Sequence, residues 1–276
     1  MKSLTIIIPV YNNIDILESM KNKILFLSNN YTQTIVIDDC SRDNTYLELY
    51  NFIKNNNLLN IEIYRNNLNM GPSYSRNIGI EKALGEYIAF LDSDDDWHPQ
   101  KIAIQIDYMK KNNVLLCGTE HIVINSDADL LIQKEIDYGD CKIPILCYKW
   151  PNILFKSKFA TPSVVMHKSL KDYRFDESMR YSEDYNLWKR ISYKHKAIKI
   201  MLPLTYTFKH DYLSESSSLS SNLWKMQFGL QNSYMKLLCN KDIKIKDKSY
   251  LVIAMLFSWI KYMRRVFLFL RYKVDK

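Results

Sequence analysis

The 276-residue sequence is poor in glycine and proline, with 6 and 7 residues respectively, and this scarcity argues against long flexible linkers. Its five cysteines are scattered, odd in number and without Cys-x-x-Cys spacing, which indicates a reducing compartment and no zinc site. The apolar run at 4–10 meets Pro9 too early for a signal peptide, so we expect none. In the tail the longest uncharged run, at 249–260, is too short for a membrane span, which needs about 20 residues.

Acidic charge is scarce in the C-terminal tail. Residues 241–276 carry ten Lys or Arg and three Asp, so they hold +7 of the chain's net charge of +8. The remaining residues are nearly neutral, which argues against a nucleic-acid-binding face and places any attraction to anionic partners in the tail. Length and a hydrophobic content of 47% indicate one large α/β domain with an appendage, or two small domains.

Apolar runs alternate with helical patterns over the first third of the chain. The runs at 4–10, 34–37, 61–64 and 87–91 are typical of buried parallel strands, and apolar residues at helical spacing lie between them. This order predicts right-handed crossovers and an open parallel sheet, which binds ligands beyond the carboxyl ends of its strands. We therefore expect residues 9–11, 38–39 and 92–94 to meet in one crevice.

The stretch after the fourth predicted strand holds four carboxylates in five positions: Asp92, Asp94, Asp95 and Asp96. Carboxylates this close repel one another and raise each other's pKa unless a cation lies among them. At the end of a buried strand they suit Mg²⁺ or Mn²⁺, which are held by one or two carboxylates together with substrate phosphates. The alternative is a solvated acidic turn that caps the next helix.

A second acidic pair, Glu183 and Asp184, opens an amphipathic helix that continues through Leu187 and Trp188. Acidic residues favour the first turn of a helix for dipole reasons, so a structural role competes with a catalytic one. His210 follows a strand-like segment at 204–208. A lone histidine is as readily structural as functional.

The best linker candidate is the segment 214–221, which is nearly all serine, so residues 214–276 are predicted to form a helical appendage. Between 250 and 272 the tail is mostly apolar, and Lys261, Arg264, Arg265 and Arg271 fall on one side of a helix. We expect this basic amphipathic helix to lie on an anionic membrane surface. The alternative is a helix that packs on the domain with its Lys and Arg exposed.

Five stretches together resemble the family 2 glycosyltransferases of the bacterial surface-polysaccharide type, which are inverting enzymes of the GT-A fold. They are IPVYN at 8–12, VIDDCSRD at 36–43, NMGPSYSRNIG at 69–79, LDSDD at 91–95 and EDYNLW at 183–188. The resemblance implies an α/β fold: a GT-A, Rossmann-like, mostly parallel sheet flanked by helices, with the C-terminal helical appendage added. Its catalytic domain would be 1–213, with a nucleotide-sugar half at about 1–97 and an acceptor half at about 98–213.

The resemblance also implies a nucleotide-diphosphate sugar as donor, usually a UDP sugar. Asp39 would accept a hydrogen bond from the uracil N3–H. Tyr11 would stack on or flank the base, and the backbone at Pro9 would line its slot. Arg76 would contact the nucleotide or its phosphates.

The same resemblance assigns the acidic stretch to a divalent cation, Mn²⁺ or Mg²⁺, that neutralises the charge on the leaving UDP. Asp92 and Ser93 would face ribose and metal, and Asp94 would be the direct ligand. His210 resembles a late histidine that reaches the metal or the diphosphate in such folds.

Inversion requires a carboxylate base across the sugar from the metal. Asp184 matches the family's base position, and Glu183 is the second choice and would otherwise orient donor or acceptor. Four further residues are candidates for the acceptor side or a lid: Trp97, Trp150, Thr161 and Ser163.

The leading hypothesis is a metal-dependent transferase that extends a lipid-linked glycan or surface polysaccharide at the cytoplasmic face of the membrane, moving a hexose or N-acetylhexosamine. A polyprenyl-phosphate sugar synthase would share most of these motifs. A nucleotidyltransferase is disfavoured because the turn at 11–14 has no glycine and no basic residue. The non-enzyme alternative is a catalytically silent subunit of a glycan-assembly complex.

Overall fold

The computed structural model describes residues 3–28, 32–124, 143–155, 159–207 and 222–274. The strands are β1 Leu4–Val10, β2 Thr32–Asp38, β3 Ile61–Arg65, β4 Tyr87–Phe90, β5 Asp95–Trp97, β6 Leu116–Val123, β7 Ile145–Tyr148, β8 Val165–His167 and β9 Ala197–Thr207. The helices are α1 Leu17–Leu27, α2 Thr45–Asn55, α3 Pro72–Lys82, α4 Lys101–Asn112, α5 Glu183–Lys194, α6 Leu223–Cys239 and α7 Ile245–Val274.

All nine strands join one sheet in the order β3-β2-β1-β4-β8-β6-β9-β5, with β7 paired to β9. The first four strands run parallel, and β8 continues the sheet antiparallel to β4. The chain moves outward from β1 to β3 and then returns to the other side of β1 with β4. This reversal opens a crevice between the carboxyl ends of β1 and β4, where parallel sheets bind ligands. The α/β sheet expected from the alternating pattern is confirmed.

The core has two layers because successive side chains of a strand point to opposite faces of the sheet. Ile6 and Ile8 of β1 pack with α1, α2 and α4 on one face. Ile7 packs with α3 and α5 on the other. The long apolar run of β1 is therefore buried on both sides, which explains why it does not alternate with polar residues.

Two elements differ from the sequence prediction. The strand expected at 204–208 is the end of a longer one, since β9 begins at Ala197. β5 was not predicted, because it begins within the acidic stretch and shows no apolar pattern. It joins the sheet through backbone pairing with β9.

The two C-terminal helices pack against α5 and the segment around Leu154. Leu251 and Ala254 of α7 join Tyr234 and Leu237 of α6 in a small apolar cluster that includes Leu154. The Asn186 side chain of α5 also donates to the backbone carbonyl of Ser233, at 3.3 Å. The predicted serine linker at 214–221 lies outside the described residues, and the division at residue 213 stays a prediction. Within the part of the chain that the structure covers, every helix is too short or too polar to cross a membrane.

Candidate active site

The crevice begins where β1 separates from β4. Their pairing ends at Ile7 and Phe90, two residues before Pro9. Pro9 has no N–H to donate, so it fits a strand end that has already left one neighbour. Beyond it, the Asn12 N–H donates to Ser41 Oγ and the Arg42 N–H donates to Asn12 Oδ1, at 2.9 and 2.8 Å. These bonds fix the turn after β1 against the turn after β2, and the Tyr11 side chain remains exposed beside the crevice.

Asp39 lies just beyond β2 and is 4% exposed. Its Oδ1 accepts from the Asn66 side chain at 2.7 Å and from the Met70 N–H at 2.9 Å, and its Oδ2 accepts from the Gly71 N–H at 2.7 Å. A carboxylate has about four acceptor positions, so one on Oδ2 remains after these three bonds. Asp39 therefore holds the loop before α3 and still has capacity for one donor from a ligand.

Gly71 has a φ of 87°, a left-handed conformation that favours glycine. A Cβ placed there would meet nothing within 4 Å, so backbone conformation rather than space requires the glycine. Pro72 then occupies the first position of α3, where its missing N–H costs nothing. This start directs α3 so that Arg76 lies one turn inside the helix and faces the crevice.

Arg76 joins the two acidic groups that are far apart in sequence. Its Nη2 lies 2.6 Å from Asp92 Oδ1, and its Nη1 lies 3.5 Å from Glu183 Oε1. Burial lowers the pKa of Arg76, but Asp92 and Glu183 outweigh it, so the net shift is upward and the guanidinium stays charged. The end of β4 and the start of α5 are therefore held at one place.

Glu183 and Asp184 form the first turn of α5, as the sequence predicted, and differ in environment. Burial and the neighbouring Asp184 raise the pKa of Glu183 to about 7, and Arg76 opposes this shift. Asp184 Oδ1 accepts from the Tyr185 N–H at 2.7 Å, and its Oδ2 lies 3.4 Å from the Thr161 hydroxyl that donates to it. Glu183 thus pairs with Arg76, while the Asp184 carboxylate accepts hydrogen bonds from the Tyr185 N–H and the Thr161 hydroxyl.

Lys23 was not among the residues that the sequence suggested. From α1 its ammonium donates to the Ser93 carbonyl at 2.8 Å and to the Asp95 carbonyl. Burial lowers its pKa, although the carboxylates of the acidic stretch act in the opposite direction. A signal was present in the sequence, since Lys23 falls on the buried stripe of α1 with Met20 and Leu27. A lysine on an apolar stripe indicates a buried charge with a specific partner.

Three of the four acceptor-side candidates lie together. The Trp97 indole N–H donates to the Pro162 carbonyl at 2.7 Å, within the turn that carries Thr161 and Ser163. Thr161 contacts Asp184, whereas the Ser163 hydroxyl is buried and donates to the Ala160 carbonyl at 2.7 Å.

The other candidates lie elsewhere. The Trp150 ring packs edge-on against Tyr193, with centroids 4.9 Å apart, toward the far end of α5 from Asp184. His210 lies outside the described residues. The functional roles assigned to all of these residues stay predictions.

The model of the family described as "Glycosyl transferase family 2" matches residues 5–167, more than half of the chain. The chain belongs to glycosyl transferase family 2. The matched region contains both the Asp39 cluster and the acidic stretch, and it ends before Glu183.

Family 2 relatives with curated names extend the match beyond that region. A UDP-Glc:alpha-D-GlcNAc-diphosphoundecaprenol beta-1,3-glucosyltransferase of Escherichia coli, WfaP, is 30% identical over 82% of each chain. An uncharacterized glycosyltransferase of Rickettsia felis is 27% identical over 89% of this chain. This chain spans only 43% of the length of that Rickettsia protein.

Solved structures show the same fold at low identity. Staphylococcus aureus TarS residues 1–349, in complex with UDP-GlcNAc, align with a TM-score of 0.66 at 18% identity over 92% of this chain and 71% of that one. A mannosyltransferase of Pyrobaculum calidifontis in complex with GDP-Man and Mn²⁺ aligns with a TM-score of 0.61 at 14% identity over 93% of this chain and 73% of that one. These alignments confirm the expected GT-A fold.

Family 2 enzymes of this fold typically use divalent cations, and the acidic stretch after β4 offers the candidate ligands for one. No group of three His, Cys, Asp or Glu side chains within the described ranges could hold a metal ion. Asp92 and the exposed Asp94 are two carboxylates in one loop, which is the protein share that Mg²⁺ or Mn²⁺ takes when substrate phosphates complete the shell. The residues therefore fit a cation bound together with a diphosphate, rather than a closed protein site.

Proposed function

We propose that this family 2 chain is a metal-dependent inverting transferase. It would move a hexose or N-acetylhexosamine from a UDP sugar to a hydroxyl of a lipid-linked glycan. The observation that carries this proposal is the double contact of Arg76 with Asp92 and Glu183, because it brings the cation-suited loop and the first turn of α5 to one crevice. Sugar transfer needs those two sets of carboxylates on opposite sides of the reacting carbon.

The donor half supports a uridine nucleotide. The remaining acceptor position on Asp39 Oδ2 suits the N3–H of uracil, and the exposed Tyr11 ring lies at the same strand ends, where it can flank the base. The Escherichia coli relative is named for UDP-glucose, and the TarS structure holds UDP-GlcNAc. Both names favour a UDP sugar over other donors.

The transfer itself would be one displacement at the anomeric carbon. The acceptor oxygen forms a bond to that carbon while the bond from the carbon to the diphosphate oxygen breaks, and the hydroxyl proton passes to Asp184. The Tyr185 N–H and the Thr161 hydroxyl orient the Asp184 carboxylate for this role. Glu183, held by Arg76, would orient the site rather than accept the proton.

A divalent cation at Asp92 and Asp94 would supply neutralisation of the charge that develops on the leaving UDP. The contribution of the chain is to hold the carboxylates in position. Lys23 fixes the loop by donating hydrogen bonds to the carbonyls of Ser93 and Asp95.

The C-terminal helix supports attachment to an anionic membrane at the cytoplasmic face. Leu256, Ile260, Met263 and Phe267 are exposed and spaced as one apolar stripe of α7. Arg264 and Arg271 are exposed on the same helix, which suits acidic headgroups. The acceptor named for the Escherichia coli relative is a lipid diphosphate, and such a molecule resides at a membrane.

The test is a donor screen with matched variants. Purified protein is titrated with UDP-glucose, UDP-GlcNAc and GDP-mannose, with and without Mn²⁺, and donor hydrolysis is followed. We expect one UDP sugar to bind only with Mn²⁺ and Asp94→Ala to abolish that binding. Asp184→Asn should bind the donor but lose turnover by about a hundredfold or more.

The control is Asp107→Asn, a half-exposed carboxylate of α4 whose ion pair is with Lys111 at 2.8 Å, and it should match the wild type. Unchanged turnover in Asp184→Asn would refute the base assignment. Absence of any nucleotide-sugar binding would refute the transferase and favour the silent-subunit alternative.

A further inference from the structure

A cavity of about 230 Å³ lies between α5, α6 and α7, on the acceptor side of the candidate active site. Ser182, Tyr185 and Lys189 line it from α5 and its N-terminal end, and Tyr234 and Lys261 line it from the other two helices. Among the described residues that form its wall, three are basic and none is acidic. The cavity is therefore suited to an anion.

Two buried polar atoms in this wall lack a hydrogen-bond partner within the described part of the chain: Lys189 Nζ and Ser182 Oγ. Lys189 is 4% exposed, and its ammonium lies 4.0 Å from the centre of the Tyr234 ring. A buried ammonium without a hydrogen bond is costly, and a cation–π contact returns only part of that cost. Such a group indicates a site built for a ligand that supplies the missing acceptors.

Burial lowers the pKa of Lys189 to about 7, and the carboxylate of Asp184 opposes this shift. The ammonium is thus electrostatically coupled to the proposed base. Lys189 follows Asp184 by five residues on the same helix, which is about 7.5 Å along the axis. The electrostatic effect of Asp184 on Lys189 indicates that a group held by Lys189 would lie near the proposed base.

Two more cations and an aromatic cluster complete the cavity. Lys261 of α7 donates to the Phe155 carbonyl at the wall, and Arg265 lies one turn further along and is exposed. Tyr262, also in the wall, packs against Trp224 and Trp259 with centroids 6.0 and 5.7 Å apart. Trp259 lies three residues after Leu256 and four before Met263, so on the helix surface it neighbours the exposed apolar stripe. Aromatic surface therefore connects the cavity to that stripe, as at membrane interfaces.

We propose that this cavity binds the diphosphate of a lipid-linked acceptor, with Lys189 and Ser182 as its inner ligands and Arg265 at its opening. The lipid chain would leave past the aromatic cluster toward the apolar stripe of α7, and the sugar on the diphosphate would face Asp184. This inference rests on the proposed function for its acceptor class. The diphosphate group matches the basic wall and offers acceptors to Lys189 Nζ and Ser182 Oγ, and the apolar chain matches the exit past the aromatic cluster.

The experiment measures binding of decyl diphosphate to the full chain by tryptophan fluorescence, without donor nucleotide and without divalent metal. Decyl phosphate, decanol and inorganic diphosphate are the comparison probes. We expect decyl diphosphate to bind most tightly and Lys189→Met to weaken it by about tenfold to a hundredfold. Lys194→Met, on the same helix and paired with Asp242 at 2.7 Å, should bind as the wild type does.

Folding is read in the same samples, and donor binding is read in parallel samples that contain Mn²⁺. Lys189→Met should melt at or above the wild-type temperature, since it removes a buried charge, and should bind the UDP sugar unchanged. Equal binding of decyl diphosphate by Lys189→Met and wild type, or equal binding of decanol and decyl diphosphate, would overturn the proposal. If no UDP sugar binds but decyl diphosphate binds in a Lys189-dependent way, the proposed donor fails and the lipid-diphosphate site stands.

Discussion

The replacement Lys101→Met is expected to stabilise the protein. Lys101 begins α4 beneath Trp97, with its ammonium fully buried, 4.0 Å from the centre of that ring, and without a hydrogen-bond partner among the described residues. Burial lowers its pKa from 10.5 to about 7. Methionine keeps the apolar length of the side chain and removes the charge.

The magnitude follows from the pKa. At pH 7 a difference of about three pH units between folded and unfolded chains, at 1.36 kcal/mol per unit, corresponds to about 4 kcal/mol of lost stability. The contact with Trp97 returns about 2 kcal/mol. We therefore expect a gain of about 2 kcal/mol at pH 7, or about 4–8 °C in the melting temperature.

The pH dependence has a definite sign. Above about pH 7 the folded wild type has lost the Lys101 proton, while the unfolded chain keeps it up to about pH 10.5. The unfolded state then binds more protons, so wild-type stability rises with pH through this window and the advantage of Lys101→Met shrinks. Between pH 7 and pH 9 the difference should fall by about 2 kcal/mol.

Urea unfolding at pH 7 and pH 9 measures both effects, with Lys110→Met on the exposed side of α4 as the matched control. The control should show a small difference that does not depend on pH. A Lys101→Met protein that is less stable than wild type at pH 7, or an advantage that grows with pH, would refute the reasoning. In either case the ammonium would have a partner that offsets its burial.

Three further substitutions test the site. Asp39→Asn places an amide against two backbone N–H donors, so urea unfolding should show a loss of about 2–3 kcal/mol even without ligand, and unchanged stability would limit Asp39 to nucleotide binding. Lys23→Met removes the ammonium that holds the acidic loop, so the affinity for Mn²⁺–UDP should fall about tenfold by calorimetry. The control Lys21→Met should have no effect. A gain in affinity would mean that Lys23 acts only by repelling the cation. Gly118→Ala puts a Cβ 2.3 Å from the Phe159 ring, so urea unfolding should show a loss of about 1–3 kcal/mol and turnover should fall. Unchanged stability would mean that the ring moves aside.

The donor half could be predicted from local pattern. The runs of β1 and β4 are apolar apart from Thr5 because both faces are covered, and the acidic stretch follows β4 as expected. The start of α3 could also be predicted locally. A glycine, which can adopt a positive φ, followed by a proline, whose φ is fixed near the helical value, is typical of a helix start.

The acceptor half depended on contacts that no local pattern encodes. β5 contains two aspartates and exists because its backbone pairs with β9, which is more than a hundred residues away. Lys189 lies in an amphipathic helix, where a lysine is common and is expected to be exposed. It is buried because α6 packs against α5 and places Tyr234 over its ammonium. The roles of Asp184, Glu183 and the other candidate residues remain predictions.

The contacts of Asn77 and Arg76 bear on how members of this family can be recombined. The Asn77 amide exchanges hydrogen bonds with the Phe175 backbone, at 2.9 Å in each direction, and also donates to Glu177. Together with the Arg76 bonds, this attaches α3 to the segment that carries the proposed base. A chimera joined near residue 98 would take the donor half from one enzyme and the acceptor half from another. Each hydrogen bond of Asn77 and the ion pair between Arg76 and Glu183 would then join residues from two different enzymes. Exchange of acceptor halves between family members must therefore transfer α3 together with the residues at 175–183 that it contacts.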